Sequence, residues 1–123
     1  MPLNVAIVGA SHKPQRYAYM AQEMLMQQQH TVFPISGNGR EILGVAGYQS
    51  IADIDQPIDT ITLYLNPQRH QAIKQDVIKI RPRRIIFNPG TESDALMAEY
   101  QQHGIETLEA CTLVMLRTNQ FDL

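Results

Sequence analysis

The residues in this chain that could do chemistry gather near its start. An apolar run, Val5 to Val8, stops at Gly9-Ala10-Ser11, and Lys13 and Arg16 follow at once. Glycine permits a sharp turn and lets a ligand approach the backbone closely. The amphipathic pattern that begins at Tyr17 predicts a helix, whose first N–H groups and positive dipole end face the same place. Two formal positive charges beside that turn predict an anion site, with phosphate the fitting anion. The other reactive side chains are scattered. Cys111 is the one candidate nucleophile, but Leu108, Ala110 and Leu113 around it favour a buried, inert thiol. His12, His30, His70 and His103 stand in separate connections or helix ends, without the i, i+4 spacing of a helical metal pair. No Ser-His-Asp, paired-carboxylate or Cys-His set is assembled locally, so no catalytic residue and no metal ligand is assigned.

Regular elements must position the turn. Apolar periodicity predicts a first helix with Tyr17, Met20, Ala21, Met24 and Leu25 inward and Gln22 and Glu23 outward. Thr31–Ile35 reads as a second strand, and Pro34 near its end suggests an edge or strand-terminal position because proline cannot donate to a ladder. Ser36–Arg40 reads as a flexible loop, and Ser50 as the cap of a single turn. A third strand is expected over 59–65. One helix should open at Pro67, bury Ala72, Ile73, Val77 and Ile80, and lead to a fourth strand at 84–87. The basic run Arg81-Pro82-Arg83-Arg84 reads as a solvated loop. Thr91 or Ser93 should cap a helix with Leu96, Met97 and Tyr100 inward, stopped by Gly104. A fifth strand over 105–108, a last helix over 112–117 seated on the sheet, and a frayed end complete the chain. Strand and helix alternate with short connections, which predicts an α/β fold: a Rossmann-like three-layer α/β/α sandwich with a five-stranded parallel sheet. One domain is expected over 1–123. Ligands of such sheets bind at the carboxyl ends of the strands, here Gly9–Arg16, Ser36–Arg40, Asn66-Pro67 and Asn88–Gly90.

Composition narrows the ligand. With 44% hydrophobic and 18% charged residues in 123, the chain has the make-up of a soluble globular protein. A net charge of -2 argues against a duplex nucleic-acid binder. A single cysteine excludes an internal disulfide and fits a reducing compartment. No signal peptide and no apolar stretch of the ~20 residues that span a bilayer is visible. The expectation is a cytoplasmic protein with neither membrane nor nucleic acid as partner. A dinucleotide site would show Gly-x-Gly-x-x-Gly and a later acidic residue. Gly9 stands alone, and no Asp or Glu lies between Met24 and Arg40, so plain NAD is disfavoured. There is no P-loop either. Arg40 suits a ribose phosphate, which coenzyme A carries on its 3′ oxygen and NADP on its 2′ oxygen. Spacing does not separate the two.

Val8-Gly9-Ala10-Ser11 with Lys13-Pro14, Arg16 and Tyr19 resembles the small CoA-binding proteins of the YccU type, which are similar to the CoA-binding domain of the succinyl-CoA synthetase α subunit. The likeness continues through Val32, Pro34, Ile35, Leu43-Gly44, Asp59, the third strand, Gly90 and Cys111. Ala18 and Met20 stand where that family commonly has serine and arginine, and Leu65 where it often has arginine. The resemblance implies a stand-alone Rossmann-like domain that binds coenzyme A; with no catalytic set assembled locally, the expectation is a module that binds coenzyme A or an acyl-CoA without catalysis. It implies that Gly9, Ala10 and Ser11 hold the pyrophosphate through backbone N–H groups and the Ser11 hydroxyl, with charge from Lys13 and Arg16. It puts Pro34, Ile35 and Ser36 on the adenosine side and Tyr64, Asn66 and Pro67 on the pantetheine side, with Tyr19 and Gly90 in the same set. The alternatives are an NADP-binding oxidoreductase-like protein and an interaction module that has lost its ligand. The expected partner is a small nucleotide, and the expected assembly a monomer or weak homodimer.

Overall fold

Three of the five short strands carry apolar side chains on both faces, and only a sheet covered on both sides hides them. The computed structural model, which describes residues 2–123, shows that solution. Strands β1 (Asn4–Val8), β2 (Thr31–Ile35), β3 (Thr60–Leu63), β4 (Arg84–Phe87) and β5 (Glu106–Glu109) form one parallel sheet in the order β2-β1-β3-β4-β5. The helices are α1 (Tyr17–Gln27), α2 (Pro67–Gln71), α3 (Lys74–Ile80), α4 (Asp94–Gln102) and α5 (Thr112–Arg117). Side chains alternate across the sheet, as strand geometry requires. Val5 and Ile7 pack with Ala18 and Leu25 of α1 and Met115 and Leu116 of α5. Ala6 and Val8 join the other cluster, with Val77 of α3, Leu96 and Tyr100 of α4, and Ile51 of a short 3-10 turn. This is the three-layer α/β/α sandwich that the alternation of elements predicts.

Pro34 lies on the edge strand. In a parallel strand a residue's N–H and C=O point the same way. The Pro34 carbonyl accepts from Tyr48 N at 2.9 Å, outside the sheet, so the missing N–H costs no bond to β1. Ser50 and Ser93 cap their helices by accepting from Ala52 N and Leu96 N. Thr91 does not cap; its hydroxyl donates to the Asn88 carbonyl.

Several expectations change. The single helix from Pro67 is two, α2 and α3, broken at Ala72–Ile73; its most buried residues are His70 and Val77, and Ala72 is exposed. Gln22 is not outward. It is fully buried, and its Nε2 donates to the Ile42 carbonyl at 3.0 Å, tying α1 to the long β2–β3 connection. Tyr17, expected inward, is 69% exposed. Arg84 does not belong to a solvated loop. It is 4% exposed, donates to Thr60 Oγ1 at 2.9 Å and to the Phe121 carbonyl, and stacks on the Phe121 ring at 4.6 Å. The chain end is therefore not wholly frayed, since Phe121 is buried there against Arg84 and His30. The third strand is shorter than the apolar run. Among the described residues no helix is long and apolar enough to cross a membrane.

Candidate functional site

Above the carboxyl ends of β1, β2 and β3 lies a cavity of about 710 Å³. In this strand order the chain leaves β1 toward β2 on one side and continues through β3 on the other. Such a switch point opens a crevice between adjacent strand ends. Gly9 makes the crevice possible. Its φ is +89°, and a Cβ there would sit 3.0 Å from the Tyr64 carbonyl carbon and 3.2 Å from Leu65 Cδ2. A side chain would be strained in backbone and crowded against β3.

The loop that follows is ordered by its own bonds. Lys13 N donates to Ser11 Oγ at 3.1 Å, and Arg16 N to the Lys13 carbonyl at 3.0 Å. The amides of Gly9 and Ala10 are already committed: both donate to the Ile35 carbonyl, at 3.0 and 2.9 Å. They lock the end of β1 to β2 and are not the open donors that the turn suggests on its own. Open donors occur one step later. Helix α1 begins without a side-chain cap on Arg16, and the N–H groups of Tyr17, Ala18 and Tyr19 have no acceptor among the described residues. Such a helix end presents N–H groups and partial positive charge.

Formal charge adds to it. The described residues form two ion pairs, His30–Asp122 at 4.0 Å and Lys74–Glu99 at 3.0 Å. Lys13, Arg16 and Arg69, all lining the cavity, belong to neither. A chain of net charge -2 thus keeps three cations unpaired at one crevice.

Of the residues expected at the site, Gly9, Ala10, Ser11, Lys13, Arg16, Ile35, Ser36 and Tyr64 line this cavity. Tyr19, Pro34, Arg40, Asn66, Pro67 and Gly90 do not. Tyr19 is half-buried against the core beneath α1, and Pro34 is inside β2. Asn66 and Pro67 start α2, the Asn66 side chain accepting from Arg69 N at 2.8 Å. Gly90 lies in an open turn with φ +92°. Arg40 is exposed, with Nη1 3.4 Å from His12 Nε2, so it touches the β1–α1 loop from the β2 side. Its loop is a turn held by its own hydrogen bonds. Asn38 Oδ1 accepts from Ser36 Oγ at 3.0 Å and from Arg40 N at 3.1 Å, and Gly47 packs on the Arg40 carbonyl where a Cβ would collide.

The cavity also recruits residues that local patterns do not mark. Tyr17 and Ala18 follow from the helix start, but Gln49, Ile51, Arg69 and Ile73 arrive from distant segments. Burial pushes the Tyr64 phenol up to about 12, against the Thr62 and Thr112 hydroxyls, so it stays a neutral hydrogen-bonding group. Beneath it Asn88 donates to Thr62 Oγ1 and to the Leu63 carbonyl, both at 2.9 Å, and accepts from Thr112 N at 2.9 Å. This buried network ties β3, β4 and the start of α5 together and explains a polar Asn88 in the interior. Cys111 is half-buried and outside the cavity lining.

Comparison with known proteins agrees with this fold. A solved structure of an uncharacterized protein superposes with a TM-score of 0.93 at 36% identity, covering 98% of this chain and 99% of that one. The PH1109 protein redesigned for binding gives a TM-score of 0.89 at 25% identity, covering 99% of this chain and 87% of that one. A lower likeness, TM-score 0.73 at 20% identity, is to the dinucleotide-forming acetyl-coenzyme A synthetase 1 of Ca. Korarchaeum cryptofilum; it covers 87% of this chain but 25% of that one, and carries the fold alone. The uncharacterized protein YneT of Bacillus subtilis is 24% identical over 75 residues, 61% of this chain, and the match spans only 56% of YneT's own length. The family described as CoA binding domain matches residues 4–117. The resemblance drawn from the opening motif therefore holds over almost the whole length, and the chain belongs to the CoA binding domain family.

Proposed function

We propose that this protein is a stand-alone domain that binds coenzyme A or an acyl-CoA without catalysis, with the pyrophosphate at the turn after β1 and the start of α1. The observation that carries this reading is the crevice itself. Among the described residues Lys13 and Arg16 line it without a carboxylate partner, beside helix N–H groups that have no acceptor there. Unpaired cations and oriented amides are what a polyanionic phosphate needs, and the helix dipole adds to both. The cavity volume of about 710 Å³ falls in the range of cofactor sites. In this reading Lys13, Arg16, the Ser11 hydroxyl and the α1 amides meet the pyrophosphate. Ile35 and Ser36 line the adenosine end, and Tyr64 the pantetheine end. Arg40, which reaches the β1–α1 loop at His12, suits the ribose phosphate. Gly9 and Ala10 shape the turn, while Tyr19, Pro34, Asn66, Pro67 and Gly90 act through the backbone that supports it.

The test is parallel calorimetric titration with coenzyme A, 3′-dephospho-CoA, NADP and NAD. Coenzyme A should bind most tightly, loss of the 3′-phosphate should weaken it, and Lys13→Ala and Arg16→Ala should each weaken it about tenfold, the size of one charge-assisted hydrogen bond. Tighter binding of NADP would replace this reading with the oxidoreductase-like one. Binding of none of the four would leave an interaction module.

A further inference from the structure

Arg69 lines the same cavity as Lys13 and Arg16, but it arrives on α2 after β3 instead of on α1. It belongs to neither ion pair of the described residues. The five-residue helix that carries it is pinned at both ends. At its start Asn66 Oδ1 accepts from Arg69 N at 2.8 Å, with Pro67 in the first turn. Next to Arg69, His70 points the other way. It is 1% exposed, lies 5.7 Å from the Phe87 ring, and has its Nε2 2.6 Å from the Tyr100 hydroxyl of α4. Tyr100 is fully buried, and His70 Nδ1 has no partner among the described residues.

A histidine buried with one nitrogen unsatisfied is costly, and an apolar side chain would fill the place at less expense. What the pair supplies is orientation: a single strong hydrogen bond in a low-dielectric interior fixes α2 against α4. Burial lowers His70 to about 4, so the imidazole stays neutral and the bond persists at neutral pH. The helix breaks immediately afterwards, at Ala72–Ile73, which leaves α2 a separate unit whose setting depends on these contacts.

We infer that Arg69 is a third phosphate-binding cation of the site, and that the buried His70–Tyr100 hydrogen bond is the positioning device that keeps it facing the cavity. This rests on the coenzyme A reading above and deepens it. Arg69 is exposed, and its side chain makes no hydrogen bond or ion pair among the described residues, so Arg69→Ala tests the first half cleanly. Calorimetry with coenzyme A should show about tenfold weaker binding, with the melting temperature unchanged and partial recovery in Arg69→Lys. For the second half, Tyr100→Phe should weaken coenzyme A binding several-fold in the native background and not at all in the Arg69→Ala background. That non-additivity is the signature of two residues acting through one. His70→Leu, which keeps the volume and loses the bond, should repeat the result if Tyr100→Phe folds poorly. Unchanged affinity in Arg69→Ala, with Lys13→Ala still weakened, overturns the inference alone. Equal losses from Tyr100→Phe in both backgrounds overturn the positioning half. A native protein that binds no coenzyme A overturns the underlying reading and this one with it.

Discussion

Arg84 and the trio Lys13, Arg16 and Arg69 are the same kind of side chain treated in opposite ways. Arg84 starts β4, at the end of the sheet away from the cavity, and is sealed in. Its guanidinium is met by Thr60 Oγ1, by the Phe121 carbonyl and by the face of the Phe121 ring. Burial pulls its pKa down from the usual arginine value, with Glu106 and Asp122 opposing. At the carboxyl ends of the strands the protein does the reverse, gathering three cations and a helix start, none of them met by a carboxylate among the described residues. A buried charge has to be satisfied by the fold, because desolvation leaves it no other partner. A charge at the rim of a crevice can wait for a ligand, because water solvates it meanwhile. One end of the sheet stores stability and the other stores binding capacity.

Substitutions can break that contrast. The largest effect on stability is expected from Arg84→Ala, which empties a buried site and strands the Phe121 carbonyl and Thr60 hydroxyl: a loss of about 3 kcal/mol in chemical denaturation. Coenzyme A affinity measured below the unfolding transition should not change. A comparable loss of affinity would show that the two ends are coupled.

A pH effect of similar size is expected from His70, the buried group nearest the open end. Burial sets its folded pKa at about 4, below the ordinary 6.5. Between those values the unfolded chain takes up a proton that the folded one refuses. Stability is therefore complete above about pH 6.5 and falls by about 3 kcal/mol as pH drops toward 4. His30, also lowered mainly by burial, adds to the fall in the same direction. Denaturation midpoints across this window, compared between the native chain and His70→Leu, should show the slope shrinking in the variant. An unchanged slope would remove His70 from the closed group.

A smaller effect is expected at the boundary between the two regions. Gly9→Ala puts a Cβ 3.0 Å from the Tyr64 carbonyl carbon at a φ of +89°, which costs on the order of 1–2 kcal/mol of stability. Because that shift would also disturb the crevice wall at Tyr64 and Leu65, affinity should fall together with stability. A loss of stability alone would make Gly9 part of the scaffold only.

Much of this was legible in the chain before folding. Strand runs, the cap at Ser50, the choice of Thr91 or Ser93 for the fourth helix, the edge or strand-terminal place of Pro34 and the cationic turn at Gly9–Arg16 all follow from short-range pattern. The interior positions of Gln22 and Arg84 were not legible, because their partners, Ile42, Thr60 and Phe121, are remote in sequence. The break between α2 and α3 escaped for a related reason. Its apolar spacing reads as one helix, while the His70–Tyr100 bond turns a polar residue inward.

The sequence by itself determined the alternation of strands and helices, the sandwich they build, and a glycine turn flanked by Lys13 and Arg16 after the first strand. Each of these depends on neighbours within a few residues, through side-chain periodicity, glycine freedom and helix-end polarity. Only the tertiary structure decided which donors are open. It commits the Gly9 and Ala10 amides to Ile35, leaves those at the start of α1 without an acceptor among the described residues, and brings Gln49, Ile51 and Arg69 to the rim. Those assignments depend on which strand lies beside which, and strand adjacency is a property of the closed sheet that no local stretch of chain contains.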